Sequence, residues 1–131
     1  AFCDDRSLGG LIDVIAPAIA MGNRVVAVAS DAYPLAATDF YQVLDTSDVP
    51  SGVVNILTGA HGDLAKTMAG HLDIDAVWSF SSEDISKTIE AESAGNLKRT
   101  WVNNGMIRDY AARDWLAQAV EVKTIWVPYG E

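Results

Sequence analysis

Three junctions between predicted strands and helices carry the side chains that could contact a phosphate-bearing ligand. Their sequences are VAVASDAYP, ILTGAHGD and SFSSEDIS. A dinucleotide site needs glycine at such a turn, because glycine lets the backbone approach a pyrophosphate bound by helix N-terminal amides. Only the second junction has two glycines, Gly59 and Gly62, and it matches no complete fingerprint. This spacing favours a tight turn, and SFSSED favours a polar helix cap whose acidic residues would repel phosphate.

Other residue types that carry chemistry are sparse. His61 and His71 lie ten positions apart without the carboxylate spacing of a metal site. The single cysteine, Cys3, excludes a Cys-based zinc site and a disulfide within the chain. It precedes Asp4 and Asp5, whose negative charges disfavour the thiolate that nucleophilic catalysis requires. We therefore predict no catalytic residue and no metal site.

The net charge and the scattered basic residues argue against two classes of binding partner. The chain has 131 residues and a net charge of −9, and its basic residues form no cluster larger than the pair Lys98 and Arg99. Nucleic acid and anionic membrane surfaces both require a basic face, so neither is expected to bind. The longest early apolar run, residues 15–21, is too short to span a bilayer. One cysteine and no signal-like N-terminus predict a cytoplasmic protein.

Apolar runs and helical periodicity alternate along the chain. Strands are predicted over residues 24–29, 53–57, 75–80 and 98–102, and helices over residues 8–21, 34–44, 63–71, 81–94 and 108–118. A turn is predicted at residues 103–105, and VEVKTIWV from Val120 to Val127 predicts a final strand. Short alternating strands and helices indicate parallel βαβ units. The predicted fold is α/β, with a Rossmann-like parallel sheet and flanking helices.

Several segments resemble a known family. They are IAPAIAMGNRVVAVASDAYP, VPSGVVNILTG, AVWSFSSEDIS and AGNLKRTWVNNG. In order and spacing they are similar to IAPAL-x-x-GN-x-VVVKPSE-x-TP, P-x-GVVN-x-V-x-G, V-x-FTGS-x-x-x-G and NLK-x-x-x-LELGGK of the aldehyde dehydrogenase superfamily. The resemblance implies the NAD-binding domain of that family, in residues 1–119. It also implies that residues 120–131 are the strand and tail of the family's oligomerisation flap.

The positions that would hold NAD depart from the family pattern. The lysine that holds the adenosine ribose falls on Val28, and the glutamate after it falls on Asp31. Two glycines of the FTGS segment fall on Ser81 and Ser86, where each added Cβ hinders the approach of a pyrophosphate. The remaining polar candidates for a degenerate cofactor site are Ser30, Asp31, Ser81 and Ser82. We expect no cofactor for this chain, although NAD serves the family.

The positions that would perform catalysis depart as well. The family's general base falls on Asn103, and its oxyanion-hole asparagine falls on Asp5, whose charge would repel an oxyanion. About fifteen residues separate Asn104 from Val120, and no cysteine lies downstream of Cys3. The family's catalytic domain is therefore missing. The chain looks like the degenerate C-terminal module of the long two-module aldehyde dehydrogenases.

The resemblance leaves two main hypotheses. In the first, the chain is a non-catalytic scaffold or oligomerisation module of a larger NAD-dependent aldehyde dehydrogenase. It would bind a catalytic module, or another copy of itself, through residues 120–127. In the second, the chain is the functional NAD-binding portion of an enzyme that oxidises aldehydes to carboxylic acids, with Ser30, Ser81 and Ser82 contacting phosphate or ribose. A site for another small acid or nucleotide is a third alternative.

Overall fold

A computed structural model describes residues 1–104, 106 and 109–130. The strands are β1 Val25–Val28, β2 Val54–Leu57, β3 Ala76–Ser79 and β4 Arg99–Val102. The helices are α1 Ser7–Ala20, α2 Pro34–Asp45, α3 His61–Gly70, α4 Glu83–Ser93 and α5 Ala112–Gln118, with a short 3-10 turn at Ala94–Asn96. The predicted α/β fold is confirmed. Gly105 of the predicted turn and Arg108 of the predicted fifth helix lie outside the described residues.

The strands form two parallel pairs that belong to βαβ units. β1 pairs with β2, so that Val25 lies opposite Val54, and β3 pairs with β4, so that Ala76 lies opposite Arg99. Strands covered on both faces are rich in apolar residues without polar alternation, which is the pattern that predicted β1 and β3. The two units place the carboxyl ends of all four strands on one edge.

Residues 1–3 join the two pairs, a position that the sequence patterns did not predict. Phe2 lies between Val28 of β1 and Ser79 of β3 and makes a parallel bridge to each. Its N–H donates to the Trp78 carbonyl at 2.8 Å, and its carbonyl accepts from the Phe80 N–H at 3.0 Å. Three residues are too few for a periodicity argument. Only their place in the sheet shows that they act as its central strand.

Two apolar clusters cover the two faces of the sheet. On one face α1 and α5 pack against alternate sheet residues, including Ala27, Trp78 and Phe80. On the other face, side chains of α3 and α4 pack against Phe2, Val28 and other sheet residues. Because successive strand side chains point to opposite faces, β1 and β3 each contribute to both clusters. The edge formed by the carboxyl ends of the strands stays uncovered, and the candidate site lies there.

The C-terminal segment differs from its prediction. Residues 121–130 have no regular secondary structure, so the predicted strand over residues 120–127 is not confirmed. A strand needs hydrogen bonds to a neighbouring strand, and none of the described residues supplies one. The segment leaves its apolar side chains exposed, including Val122 at 93% and Trp126 at 90%. Separately, no helix in the described part of the chain combines the length and apolar character needed to cross a membrane.

Candidate functional site

A cleft of about 690 Å³ opens at the carboxyl ends of β1, β3 and the central segment. In parallel α/β sheets this edge is where ligands bind, because loops from separate strands meet there. The cleft brings together all four predicted site residues or their immediate neighbours. Its lining residues are Cys3, Asp4, Asp5, Asp31, Ala32, His61, Gly62, Phe80, Ser81, Ser82 and Ile85.

Ser30 is buried behind this lining and is engaged in internal hydrogen bonds. Its Oγ donates to Asp5 Oδ1 at 2.8 Å, and the Ala32 N–H donates to Ser30 Oγ at 3.1 Å. The hydroxyl therefore connects the loop after β1 to the segment after residues 1–3. The structure thus assigns Ser30 a bonding role within the protein and leaves a carboxylate, Asp5, at the cleft surface.

His61 is a buried polar side chain that lines the cleft and contacts two of its loops. It lies at the start of α3 with only 5% of its surface exposed. Its Nε2 lies 2.7 Å from the Ala29 carbonyl, and its Nδ1 lies 2.8 Å from Ser81 Oγ. A carbonyl only accepts, so Nε2 carries a proton, and in the neutral ring Nδ1 accepts from the Ser81 hydroxyl. Ser81 is therefore bound to the imidazole and is not a free donor to phosphate.

Asp31 joins the same arrangement from the loop after β1. Its Oδ2 accepts from the His61 backbone N–H at 3.4 Å, and its Oδ1 lies 3.9 Å from His61 Nε2. The carboxylate thus lies over the start of α3, where the backbone amides would otherwise face a bound anion. The Asp31 carboxylate would therefore repel a phosphate at the start of α3.

Ser82 occupies the predicted cap position before α4, but the cap differs in detail. Its backbone is extended, as expected for a cap residue, and its side chain makes no capping hydrogen bond. Ser82 is therefore the cap residue, as predicted, but the side-chain hydrogen bond expected of a polar cap is absent. Glu83 and Asp84 provide the negative charge of the first turn instead. Their carboxylates oppose a phosphate at this second helix N-terminus.

Three of the positions that depart from the family motifs in the resemblance, Val28, Ser86 and Asn103, are buried and do not line the cleft. Val28 is fully buried in the sheet and packs in the cluster that contains Phe2. Ser86 is fully buried and its Oγ lies 3.1 Å from Ser79 Oγ. Asn103 is 2% exposed, and its Nδ2 donates to the Met106 carbonyl at 2.6 Å. The Asn103 side chain is an amide, so it lacks the carboxylate with which a general base would accept a proton.

The charge of the cleft does not fit NAD. Three of its lining residues are aspartates, and none of the described lining residues is lysine or arginine. Arg6 is not a lining residue. It forms ion pairs with Asp4 at 2.9 Å and with Asp13 at 2.6 Å. Like charges in a partly desolvated cleft repel more strongly than in water. The pyrophosphate of a dinucleotide would therefore meet repulsion from Asp5 and Asp31, and the residues present do not fit this cofactor.

Metal binding finds no support in the described residues. No group of three or more histidine, cysteine, aspartate or glutamate side chains within the described part of the chain is arranged to hold an ion. His61 already has both ring nitrogens in hydrogen bonds. Cys3 is buried and forms no disulfide.

Sequence reasoning missed the two residues that organise the cleft. His61 was predicted to lie before α3 and to have no ligand role, and its burial against Phe2, with ring centroids 5.4 Å apart, depends on residues distant in sequence. Asp5 was identified as a repulsive residue, but its bond to Ser30 spans 25 positions. One local signal was available, because His61 stands beside Gly62 in the predicted strand-to-helix junction ILTGAHGD.

Replacing His61→Ala is expected to lower the free energy of unfolding by about 1–3 kcal/mol. The change leaves the Ala29 carbonyl and the Ser81 hydroxyl without a partner and removes a buried ring. Urea unfolding at neutral pH measures it. His71→Ala is the matched control, because His71 is exposed, and we expect a change within about 0.5 kcal/mol. Equal small effects of both substitutions would contradict this role of His61.

A model of the aldehyde dehydrogenase family matches residues 8–106. The chain is 36% identical to horse aldehyde dehydrogenase 1A1 over 92 residues, which are 70% of this chain and 18% of that protein. The chain therefore spans about a fifth of the length of the curated relatives that it matches.

Solved structures show the same likeness. The structure of gamma-glutamyl-gamma-aminobutyraldehyde dehydrogenase from Burkholderia cenocepacia matches with a TM-score of 0.63 and 35% identity, over 70% of this chain and 19% of that one. Aldehyde dehydrogenase C from Pseudomonas syringae, solved as a mutant in complex with NAD+ and octanal, matches with a TM-score of 0.66 and 30% identity, over 71% and 19%.

Proposed function

Because this chain belongs to the aldehyde dehydrogenase family, we propose that it is a non-catalytic module serving assembly of a larger NAD-dependent aldehyde dehydrogenase. It corresponds in this proposal to the degenerate C-terminal module of the two-module members, with residues 1–119 as the domain and residues 120–131 as its flap. The proposal places the module in the cytoplasm, on the sequence grounds given above. Oxidation of the aldehyde is assigned to a catalytic module.

The observation that carries the proposal is the chemistry of the cleft at the carboxyl ends of the strands. Its aspartates oppose phosphate, and Ser30 and Ser81 are engaged with Asp5 and His61. Each of these interactions stabilises the protein internally and removes a group that a dinucleotide would use. Ser30 and Ser81 therefore stabilise the fold, and their hydroxyl groups are engaged within the protein instead of with a ligand.

Assembly is supported by the exposed C-terminal segment. Its apolar side chains alternate with Glu121 and Lys123, and its backbone has no sheet partner among the described residues. An unpaired segment of this kind gains hydrogen bonds and apolar burial when it adds as a strand to the edge of another sheet. We propose a catalytic aldehyde dehydrogenase module, or a second copy of this chain, as the partner.

The alternative function, NAD binding, rests on the position of the cleft and on Ser82, which has no capping bond. Calorimetric titration with NAD separates the two functions. We expect dissociation constants in the millimolar range or no measurable heat. A catalytically competent family member serves as the positive control for the titration. Micromolar binding by this chain would reject the non-catalytic proposal and support the alternative.

A charge variant tests the stated cause of weak binding. Asp5→Asn with Asp31→Asn removes two negative charges from the cleft and keeps an oxygen for the Ser30 hydroxyl to contact. We expect NAD affinity to rise about tenfold, which is roughly 1.4 kcal/mol. Asp45→Asn with Asp48→Asn changes the net charge equally at positions away from the cleft. Equal gains in both variants would show that the cleft carboxylates are not the obstacle.

A further inference from the structure

The exposed C-terminal segment has a side-chain pattern that indicates which kind of sheet edge it fits. In a strand, successive side chains point to opposite faces. One face of this strand would be apolar along its length, with Val122 and Trp126. The other face would change from charged to apolar halfway. In order, its side chains are Glu121, Lys123, Ile125 and Val127. A matching edge is exposed beside the first half of the segment and covered beside the second half.

The outer edge of β4 has this character. β4 is the outermost described strand on its side of the sheet. Its first two residues are exposed and its last two are half-buried. β2, the edge strand on the other side, has the reverse order, from buried Val54 to exposed Leu57. A segment parallel to β4 therefore places its charged half beside the exposed half of that strand and its apolar half beside the covered half.

The backbone of β4 has free groups on its outer side. Arg99 and Asn103 donate their N–H groups toward β3, and in a parallel ladder alternate residues face the same neighbour. The N–H and carbonyl groups of Thr100 and Val102 therefore point away from β3, and none of the described residues bonds to them. An unpaired edge of this kind accepts an added strand.

The four crossovers between the described strands share one hand. From residues 1–3 to β1 and on to β2, the chain moves toward the β2 edge through α1 and α2, which pack on one face. From β2 to β3 and on to β4, it moves toward the β4 edge through α3 and α4 on the other face. Connections of this type are right-handed in about 98% of parallel sheets.

This hand disfavours pairing of the segment with β4 of its own chain. Helix α5 lies on the face of α1 and α2, because Trp115 and Ala119 pack in the same cluster. A crossover through α5 to the outer side of β4 would therefore have the opposite hand. The end of α5 is fixed on this face by Asn23 Nδ2, which donates to the Ala119 carbonyl at 2.8 Å, and by Arg99 Nη1, which donates to the Val120 carbonyl at 2.7 Å.

We propose that residues 122–127 of a second copy of this chain add to the outer edge of β4 as a parallel strand. The inference rests on the proposed assembly function and names the surface that accepts the segment. Each copy carries both the segment and the β4 edge, so identical chains supply everything that the pairing needs. The pairing covers Ile125 and Trp126, which are exposed in the single chain.

A proline on the acceptor strand tests the proposal. Thr100→Pro removes an N–H that points away from β3, at an edge position where proline is tolerated. We expect the apparent dissociation constant for self-association, measured by sedimentation velocity, to rise at least about tenfold. Ile56→Pro is the matched control, because its N–H points outward from β2 in the same way, and it should associate as the parent does. The unfolding midpoint of each variant checks its fold.

A measurement on the parent chain needs no substitution. We expect amide exchange at Thr100 and Val102, followed by NMR, to slow at least about tenfold as the chain is concentrated through its dissociation constant. Protection that is equal at every concentration would show that β4 pairs within one chain. Exchange that association leaves unchanged would show that another surface accepts the segment. Either result overturns the proposal.

The same experiments separate this inference from the proposed function. If Thr124→Pro with Ile125→Pro abolishes association and Thr100→Pro does not, the segment serves assembly through another surface, and only the role of β4 is rejected. If neither variant changes association, the assembly function of the segment fails as well. Absence of self-association over the whole concentration series rejects a second copy as the partner, and association with a catalytic module then decides the proposed function.

Discussion

Phe80→Ala is expected to lower the free energy of unfolding by about 3–5 kcal/mol, a large fraction of the stability of a domain this size. Phe80 is 2% exposed and belongs to an aromatic cluster. Its ring centroid lies 5.2 Å from that of Trp101 and 5.1 Å from that of Trp115. Substitution removes this ring packing and leaves a cavity between the sheet and α5. Urea unfolding followed by tryptophan fluorescence measures the effect.

The control for this prediction is another aromatic side chain of the same chain. Trp126 is 90% exposed, so Trp126→Ala is expected to change stability by no more than about 0.5 kcal/mol. Phe80→Leu keeps most of the apolar volume and is expected to lie between the two. A decrease below about 1 kcal/mol for Phe80→Ala would show that the aromatic cluster does not hold α5 against the sheet.

The second large effect is expected from the C-terminal segment. Deletion of residues 120–131 should abolish association with a second copy or with a catalytic aldehyde dehydrogenase module, because it removes the exposed backbone and apolar side chains that would pair. The fold should persist, since the segment is joined to the domain mainly by the hydrogen bond that Arg99 Nη1 donates to the Val120 carbonyl at 2.7 Å. Sedimentation velocity over a concentration series measures the association, and the unfolding midpoint checks the fold.

Point variants separate strand pairing from simple removal of apolar surface. Thr124→Pro with Ile125→Pro removes the N–H groups on both sides of the segment, so it blocks a strand whichever side pairs. We expect the apparent dissociation constant to rise at least about tenfold. Thr124→Ser with Ile125→Val retains every backbone N–H and should associate nearly as the parent does. Unchanged assembly of the deleted chain or of the proline variant would contradict the proposed role of the segment.

The strands β1 to β4 could be predicted from the sequence because each combines a local apolar run with a nearby turn signal. VVAV of β1 and AVWS of β3 are covered by helices on both sides, and their composition reflects that burial directly. Helix α4 was predicted within two residues at each end, since acidic residues begin it and its buried positions follow helical spacing. These features depend on neighbours within a few positions.

The candidate site was predicted only in part. Ser81 and Ser82 were placed correctly at the strand-to-helix junction, but the bond from Ser81 to His61 joins residues 20 positions apart. His61 was assigned no role for the same reason, because its partners at Ala29 and Ser81 follow two other strands. Local patterns give the position of a side chain along an element, and they do not give its hydrogen-bond partner across the sheet.

By itself the sequence determined the α/β class, the resemblance to the family and the acidic character of the cleft loops. Those conclusions follow from residue types at fixed positions along the chain. Only the tertiary structure decided that residues 1–3 form the central strand, that Ser30 and Ser81 are bound to Asp5 and His61, and that the segment after Ala119 is unpaired within the described part of the chain. Hydrogen bonding between distant segments depends on how the elements pack, and a single chain's periodicity does not record that packing.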